Sequence, residues 1–288
     1  MNREIISKAK FGIKEGSIRN AQSWLLAPAQ SRGPAAVNAL QATTQRTLLL
    51  QSFSAVSDQP GGVINANGLR VAGLSLNCGD QAIPIGVFSP TSGGTSKAHQ
   101  TVGIAISQNT SVTVDATQSA GGNFGYAIGA LPLEGEIPSA EEQAPFYDYI
   151  VGCGTTGVVA AGGTGTCQAV VLRGCWLGLV SCTNQLGAAV IPDSDIVLTD
   201  LTVNGISMLA GGANSQISMD FLQPGQSSTN DYILDYYVAP NSIITFTFAN
   251  QSGAANMDVG AAIFCKPYKK PLHGGNQFHH SRAVEKKG

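Results

Sequence analysis

The sequence predicts an all-β chain in which one β-sandwich domain occurs twice in tandem. Three observations lead there. Short apolar runs alternate with a period of two and are cut at close intervals by Gly, Asn, Pro and Ser. Four blocks recur in the same order at a near-constant offset. Only 12% of the 288 residues are charged while 35 are Gly, and β-branched residues are too common for a disordered chain.

Residues 1–35 read as a basic N-terminal extension with a short helix around Ile5–Ile13. Residues 36–133 form the first sandwich. Within it Ile83, Ile85 and Val87 alternate cleanly, as do Val102, Ile104 and Ile106, so each run has one packed and one wet face. Residues 134–168 read as a connector. Its first part, Glu134–Glu142, is acidic and suited to a short helix after Pro138-Ser139; its later part, Gly152–Gly165, is glycine-rich, hence flexible or tightly turned. Residues 169–267 form the second sandwich, and 268–288 an exposed basic tail. Roughly six to eight strands of ordinary length fit in each half, and a jelly roll is the favoured variant.

The repeat aligns Leu69–Leu76 with Leu201–Met208, keeping Leu, Val, Gly and Ser identical. Ile83–Pro90 aligns with Ile217–Pro224, Asn109–Val114 with Asn241–Phe246, and Gln118–Phe124 with Gln251–Met257. Colinear blocks that also preserve apolar phase point to duplication rather than to low complexity.

The formal net charge of −2 hides an asymmetry. Residues 47–265 carry Arg70, Lys97 and Arg173 against fifteen acids, net −12, whereas residues 1–46 and 266–288 are each +5. Basic ends on an acidic body suit docking on an anionic surface or on a neighbouring acidic body. No apolar run has the length of a secretory signal or of a membrane span. Six cysteines in such a chain are expected to be reduced, buried thiols, with a disulfide in a finished assembly as the alternative.

The chemistry of catalysis is mostly missing. Gly152-Cys-Gly-Thr-Thr-Gly157 satisfies G-x-G-x-x-G and follows Tyr147–Val151, which suits a strand, but the residues after it make a poor helix and no acid follows at the dinucleotide spacing. Only His99 lies in the body; His273, His279 and His280 lie in the tail, which leaves no base for a hydrolytic triad. Zinc-like Cys pairs are absent from the sequence, and Asp193, Asp195 and Asp200 lack the further oxygens of a calcium loop. No aromatics interleave with basic residues in the body, so sequence-specific nucleic-acid binding is not expected. Catalytic residues, metal ligands and cofactors are therefore expected to be none, and the chain is not expected to be an enzyme.

Two similar sandwiches, scarce charge, basic ends and no catalytic set resemble the double-jelly-roll major capsid proteins of tailless icosahedral viruses, many of which enclose a membrane. The resemblance covers roughly 36–133 and 169–267 and is one of organisation, without a short motif. It implies homotrimers of pseudo-sixfold outline that tile a shell, other capsid or vertex proteins as partners, and a place in the virion after assembly in the host cytoplasm. The tails would then reach neighbouring subunits or an inner membrane through Arg3, Lys8, Lys10, Lys14, Lys269 and Lys270. A receptor- or glycan-binding spike, fibre or lectin module is the alternative, with Phe146–Tyr149 and Asp231–Tyr237 as its candidate loop tips, the second of which reads equally well as a strand.

Overall fold

The structure is a computed structural model that describes residues 24–26, 31–33, 37–57, 61–88, 100–118, 122–133, 137, 143, 148–211, 215–223 and 233–267. It is all-β, built from antiparallel sheets. In the first half the strands are β1 (Trp24–Leu26), β2 (Ser31–Gly33), β3 (Val37–Thr43), β4 (Leu48–Ser57), β5 (Val63–Val71), β6 (Leu74–Ser75), β7 (Ile83–Pro84), β8 (Gln100–Ile106), β9 (Ser111–Thr117) and β10 (Gly122–Pro132). The second half has β11 (Tyr149–Thr155), β12 (Thr164–Val170), β13 (Cys175–Asn184), β14 (Ile196–Val203), β15 (Ile206–Ser207), β16 (Ile217–Ser218), β17 (Ile233–Val238), β18 (Ile243–Asn250) and β19 (Val259–Pro267).

Four sheets result. The first half has one of order β1-β10-β4-β8, with β2 also on β10, and one of order β3-β9-β5-β6, with β7 also on β5. In the second half the orders are β11-β19-β13-β17, and β12-β18-β14-β15 with β16 also on β14. Apart from β2, the two halves match strand for strand. Local geometry matches too. Ala72-Gly73 joins β5 to β6 with φ of 52° and 79°, and Asn204-Gly205 joins β14 to β15 with 51° and 79°. Both are two-residue turns with two positive φ values, the kind whose twist suits a tight hairpin. Asn109 and Asn241, aligned in the sequence, also share the left-handed region at 62° and 66°.

Alternation places one face of each sheet inward. On β9, Val112, Val114 and Ala116 are buried, and on β18 Ile244, Phe246 and Phe248 are. Cross-sheet bonds close each half. The Tyr126 hydroxyl on β10 donates to Val112 O (2.7 Å) and accepts from Ala42 N (3.1 Å), and Cys167 Sγ on β12 reaches Val259 O on β19 at 3.3 Å. A smaller cluster of Leu49, Ala105, Leu131 and Leu133, with Ile137 against it, covers the other face of the β10-β4-β8 sheet. Gln143 finishes that sheet's edge: its amide accepts from Ala105 N (2.8 Å) and donates to Ala105 O (2.9 Å).

Two parts of the chain differ from the sequence expectation. Residues 149–168, expected in a connector, contain β11 and most of β12. Residues 24–33 of the expected extension contribute β1 and β2. Tyr149–Cys153 are buried throughout, because β11 is covered on both faces, so no period of two marks it as a strand. The expected helix at Ile5–Ile13 and nearly all of the acidic run lie outside the described residues.

Candidate functional site

Arg3, Lys8, Lys10, Lys14, Lys269 and Lys270 all lie outside the described residues, as do His99, Phe146 and the tail histidines. The other residues singled out in the sequence are placed. Gly152–Gly157 runs through β11 into a turn and is followed by strand β12, so no helix N-terminus faces those glycines. Asp193 accepts from Asn184 Nδ2 at 3.0 Å, while Asp200 accepts from Ser207 Oγ at 2.6 Å. The three aspartates do not converge. The second candidate loop tip is strand over its described part: Ile233–Val238 is β17, paired along β13. No helix among the described residues is long and apolar enough to cross a membrane.

What the structure does assemble is a seam between the halves, made by residues 76–88. β11 is the edge strand of its sheet, and residues 76–78 run parallel beside it. Cys78 N donates to Ile150 O (2.7 Å) and Ile150 N to Leu76 O (3.0 Å); Leu172 N donates to Cys78 O (2.6 Å) and Asp80 N to Val170 O (3.1 Å). The buried Asn77 has its amide fully used. Its Nδ2 donates to Ala66 O and Gln81 O, and its Oδ1 accepts from Gly79 N and Gly152 N. Backbones touch where Gly79 meets Gly152; a Cβ on Gly79 would sit 2.6 Å from Gly152 O, which explains the glycines there without a ligand. Further on, the 3-10 turn Ile85–Phe88 buries its apolar side chains, with Gly86 against Thr183 of β13 and Pro84 against Gly260 of β19. An aromatic series crosses the seam: Tyr126 to Phe53 (5.9 Å between ring centroids), Phe53 to Phe88 (5.0 Å) and Phe88 to Phe264 (5.9 Å).

Over its described residues, 208–211 and 215–222, the equivalent segment of the second half shows no hydrogen-bonded strand laid along it like β11 beside 76–78, among the described residues. Val87 is 0% exposed, and its sequence counterpart Phe221 is 54% exposed. The position that corresponds to Thr183 of the covering sheet is exposed as well. Thr183 pairs with Gly260 on β19, and by the same register Val56 pairs with Gly125 on β10; Val56 is 46% exposed. Asp220 stands where Gly86 does in the first half, and its carboxylate accepts from Ser218 Oγ at 3.3 Å, turned back on its own turn.

Inside the seam, the structure brings together three cysteines that are far apart in sequence. Cys78 comes from the 76–82 loop, Cys175 opens β13 and Cys265 lies on β19; their Sγ atoms are all within 4.8 Å, with Cys78 and Cys175 at 3.9 Å. No spacing rule reveals this, since 97 residues separate Cys78 from Cys175. Thiol donation from Cys265 and Cys78 pulls the Cys175 thiol down to about 5, against the cost of burial. Cys78 is held well up, first by its hydrogen bond to Cys175, and Cys265 first by burial. Burial raises Tyr149 next to them, while Arg173, which donates to its hydroxyl at 3.3 Å, acts in the opposite direction. Cys153, Cys167 and Cys182 are separate buried thiols, each raised chiefly by burial. None of the six is disulfide-bonded.

No protein-family model matches the chain, and no curated protein matches it at a significant level. The class its own features define is an all-β, sandwich-like protein whose most developed contact is the seam between its two halves.

Proposed function

We propose that the chain is a structural virion protein, a major capsid subunit that self-assembles into an icosahedral shell through trimers of pseudo-sixfold outline. One observation carries the reading: 76–88 docks inside the chain with Val87 buried, whereas the aligned Phe221 of 208–222 is exposed, and so is Val56, which stands where Thr183 does beneath the docked segment. A donor patch at one end and its acceptor at the other make a head-to-tail contact. Such contacts build closed rings when the rotation per copy allows it. Three chains with two similar units each give six units around the ring.

The connectivity supports two jelly rolls. In each half the chain passes repeatedly from one sheet to the other, and its first and last strands, β1 with β10 and β11 with β19, lie side by side. The acidic body and basic ends favour tails that reach a neighbouring body or an inner membrane, through Arg3, Lys8, Lys10, Lys14, Lys269 and Lys270. Deleting residues 1–20 is expected to weaken assembly or membrane contact; full assembly and unchanged contact would remove the tail role.

The test is the native mass and outline of the purified protein, by light scattering and negative-stain imaging. Closed shells or stable trimers of hexagonal outline are expected. A chain that stays single at high concentration would defeat the reading. One observation favours a second reading, the glycan-binding module: Trp176 is partly exposed on β13 with its ring 5.8 Å from that of Tyr237 on β17. Glycan-array binding by a monomer, lost in Trp176→Ala, would select it.

A further inference from the structure

The three seam cysteines have no part in the assembly surfaces, and packing does not require their sulfur. Strand register shows this. Tyr149 pairs with Cys265 on β19 and Cys265 with Leu177 on β13; in the first half Trp24 pairs with Ala130 on β10 and Ala130 with Leu50 on β4. Cys265 thus occupies the place of Ala130, and Cys175, two residues before Leu177, the place of Leu48. Ala130 and Leu48 are ordinary buried core residues. The repeat places Ala210 opposite Cys78. Hydrocarbon fills two of these positions in the first half, and Ala210 at the third is exposed, so the convergence of three thiols at the seam calls for another cause.

We propose that Cys78, Cys175 and Cys265 form a three-thiolate site for one thiophilic d10 cation of the Cu(I) or Cd(II) type, which ties the 76–82 loop of the first half to β13 and β19 of the second. Geometry fits such an ion. With the zinc–sulfur length of about 2.3 Å as a guide, three sulfurs in a plane around a metal lie about 4.0 Å from one another, and a larger ion such as Cd(II) spreads them further. The Cys78–Cys175 separation is 3.9 Å, and all three Sγ atoms lie within 4.8 Å. A disulfide needs about 2.05 Å, so two of these sulfurs would have to move together and leave the third aside. Ligand chemistry fits as well, because soft thiolates select soft cations.

The donor set further favours a three-coordinate ion over zinc. Among the described residues no fourth Cys, His, Asp or Glu ligand atom joins the group, whereas a structural zinc site is tetrahedral. The main chain preorganises the three donors. Cys175 and Cys265 sit diagonally on paired strands, since Cys175 faces Pro267 and Cys265 faces Leu177. Cys78 is fixed by hydrogen bonds on both sides, from its N to Ile150 O and to its O from Leu172 N. Arg173, bound to the Tyr149 hydroxyl beside Cys265, supplies a positive charge near a site that stays anionic when loaded. All three thiols are buried, so loading accompanies folding or a local opening of the loop.

The test uses the full-length protein, refolded anaerobically under a non-thiol reductant with Cd(II) as the probe. One Cd(II) per chain is expected, with a sulfur-to-metal charge-transfer band and three sulfur neighbours by X-ray absorption. That wild-type sulfur count does not depend on any variant folding. Cys78→Ser, Cys175→Ser and Cys265→Ser, checked by circular dichroism, are each expected to lose the single tight equivalent, while Cys153→Ser keeps it. Cu(I) is expected to displace Cd(II) one for one. No bound Cd(II), a sulfur count other than three, or binding that survives Cys78→Ser and falls with Cys153→Ser would overturn the site.

Discussion

Residues 76–88 and 208–222, which align in the sequence, lie in two different surroundings. In the first half the segment lies along β11 and against β13 and β19, and Leu76, Asn77, Cys78, Ile83, Ile85, Val87 and Phe88 are buried. In the second half Met219 and Leu222 still turn into their own core, but Phe221 and Ile206 face outward. Where both are described their ends agree: a turn with two positive φ values precedes each segment, and a short strand with a 3-10 turn closes it, β7 with Ile85–Phe88 and β16 with Met219–Phe221. The two differ in what covers them and in the length of the loop between. In the proposed assembly the exposed Phe221 is covered by a neighbouring copy, as Val87 is covered inside the chain.

The largest effect that would sharpen this comparison is at Phe88, whose ring joins Phe53 of the first half to Phe264 of the second. Phe88→Ala is expected to cost about 3–5 kcal/mol, read as a lower denaturation midpoint. A cost under about 1 kcal/mol would mean that the seam contributes little.

Next comes Tyr126. Replacing it with Phe removes the bonds to Val112 O and from Ala42 N, at a cost of about 1–2 kcal/mol near neutral pH. Burial pushes its phenol up to about 12 from an ordinary 10.0. The folded chain thus holds a proton that the unfolded chain gives up between those values, so this group's share of stability falls as pH rises through that window. In Tyr126→Phe that part of the alkaline loss disappears, measurable by denaturant titration at a series of pH values.

A smaller effect separates the two turns. Ala72 holds a left-handed conformation that Asn204 adopts more readily. Ala72→Asn is expected to stabilise by about 0.5–1 kcal/mol, and Asn204→Ala to destabilise by a similar amount; equal effects of the same sign would break the equivalence of the turns. Smallest for folding is Phe221→Ser, expected to change stability by no more than about 0.5 kcal/mol while reducing self-association in light scattering. Val87→Ser, at the covered counterpart, is expected to do the reverse.

Much of this architecture was legible in the residues. The block Leu69–Leu76 and its partner Leu201–Met208 became the β5–β6 and β14–β15 hairpins, and Asn109 and Asn241 became matched left-handed turn residues. Strand β11 was legible only at its start, where Tyr147–Val151 suits a strand. Beyond it, Gly152 serves close backbone approach and Gly154 a left-handed φ of 71°, which imitates a flexible connector in composition. The sulfur cluster was illegible for a different reason: its members meet only once β13 pairs with β19 and the 76–82 loop closes on β11.

The most direct test of the central claim is a disulfide trap between copies. In the proposed head-to-tail contact, the counterparts of Gly86 and Thr183 in the seam would be Asp220 of one copy and Val56 of the next. Val56→Cys and Asp220→Cys chains would be prepared separately, mixed and mildly oxidised. A covalent dimer that forms in the mixture, and in neither variant alone, is the predicted result. No dimer above the level of a surface-cysteine pair placed elsewhere would contradict the account.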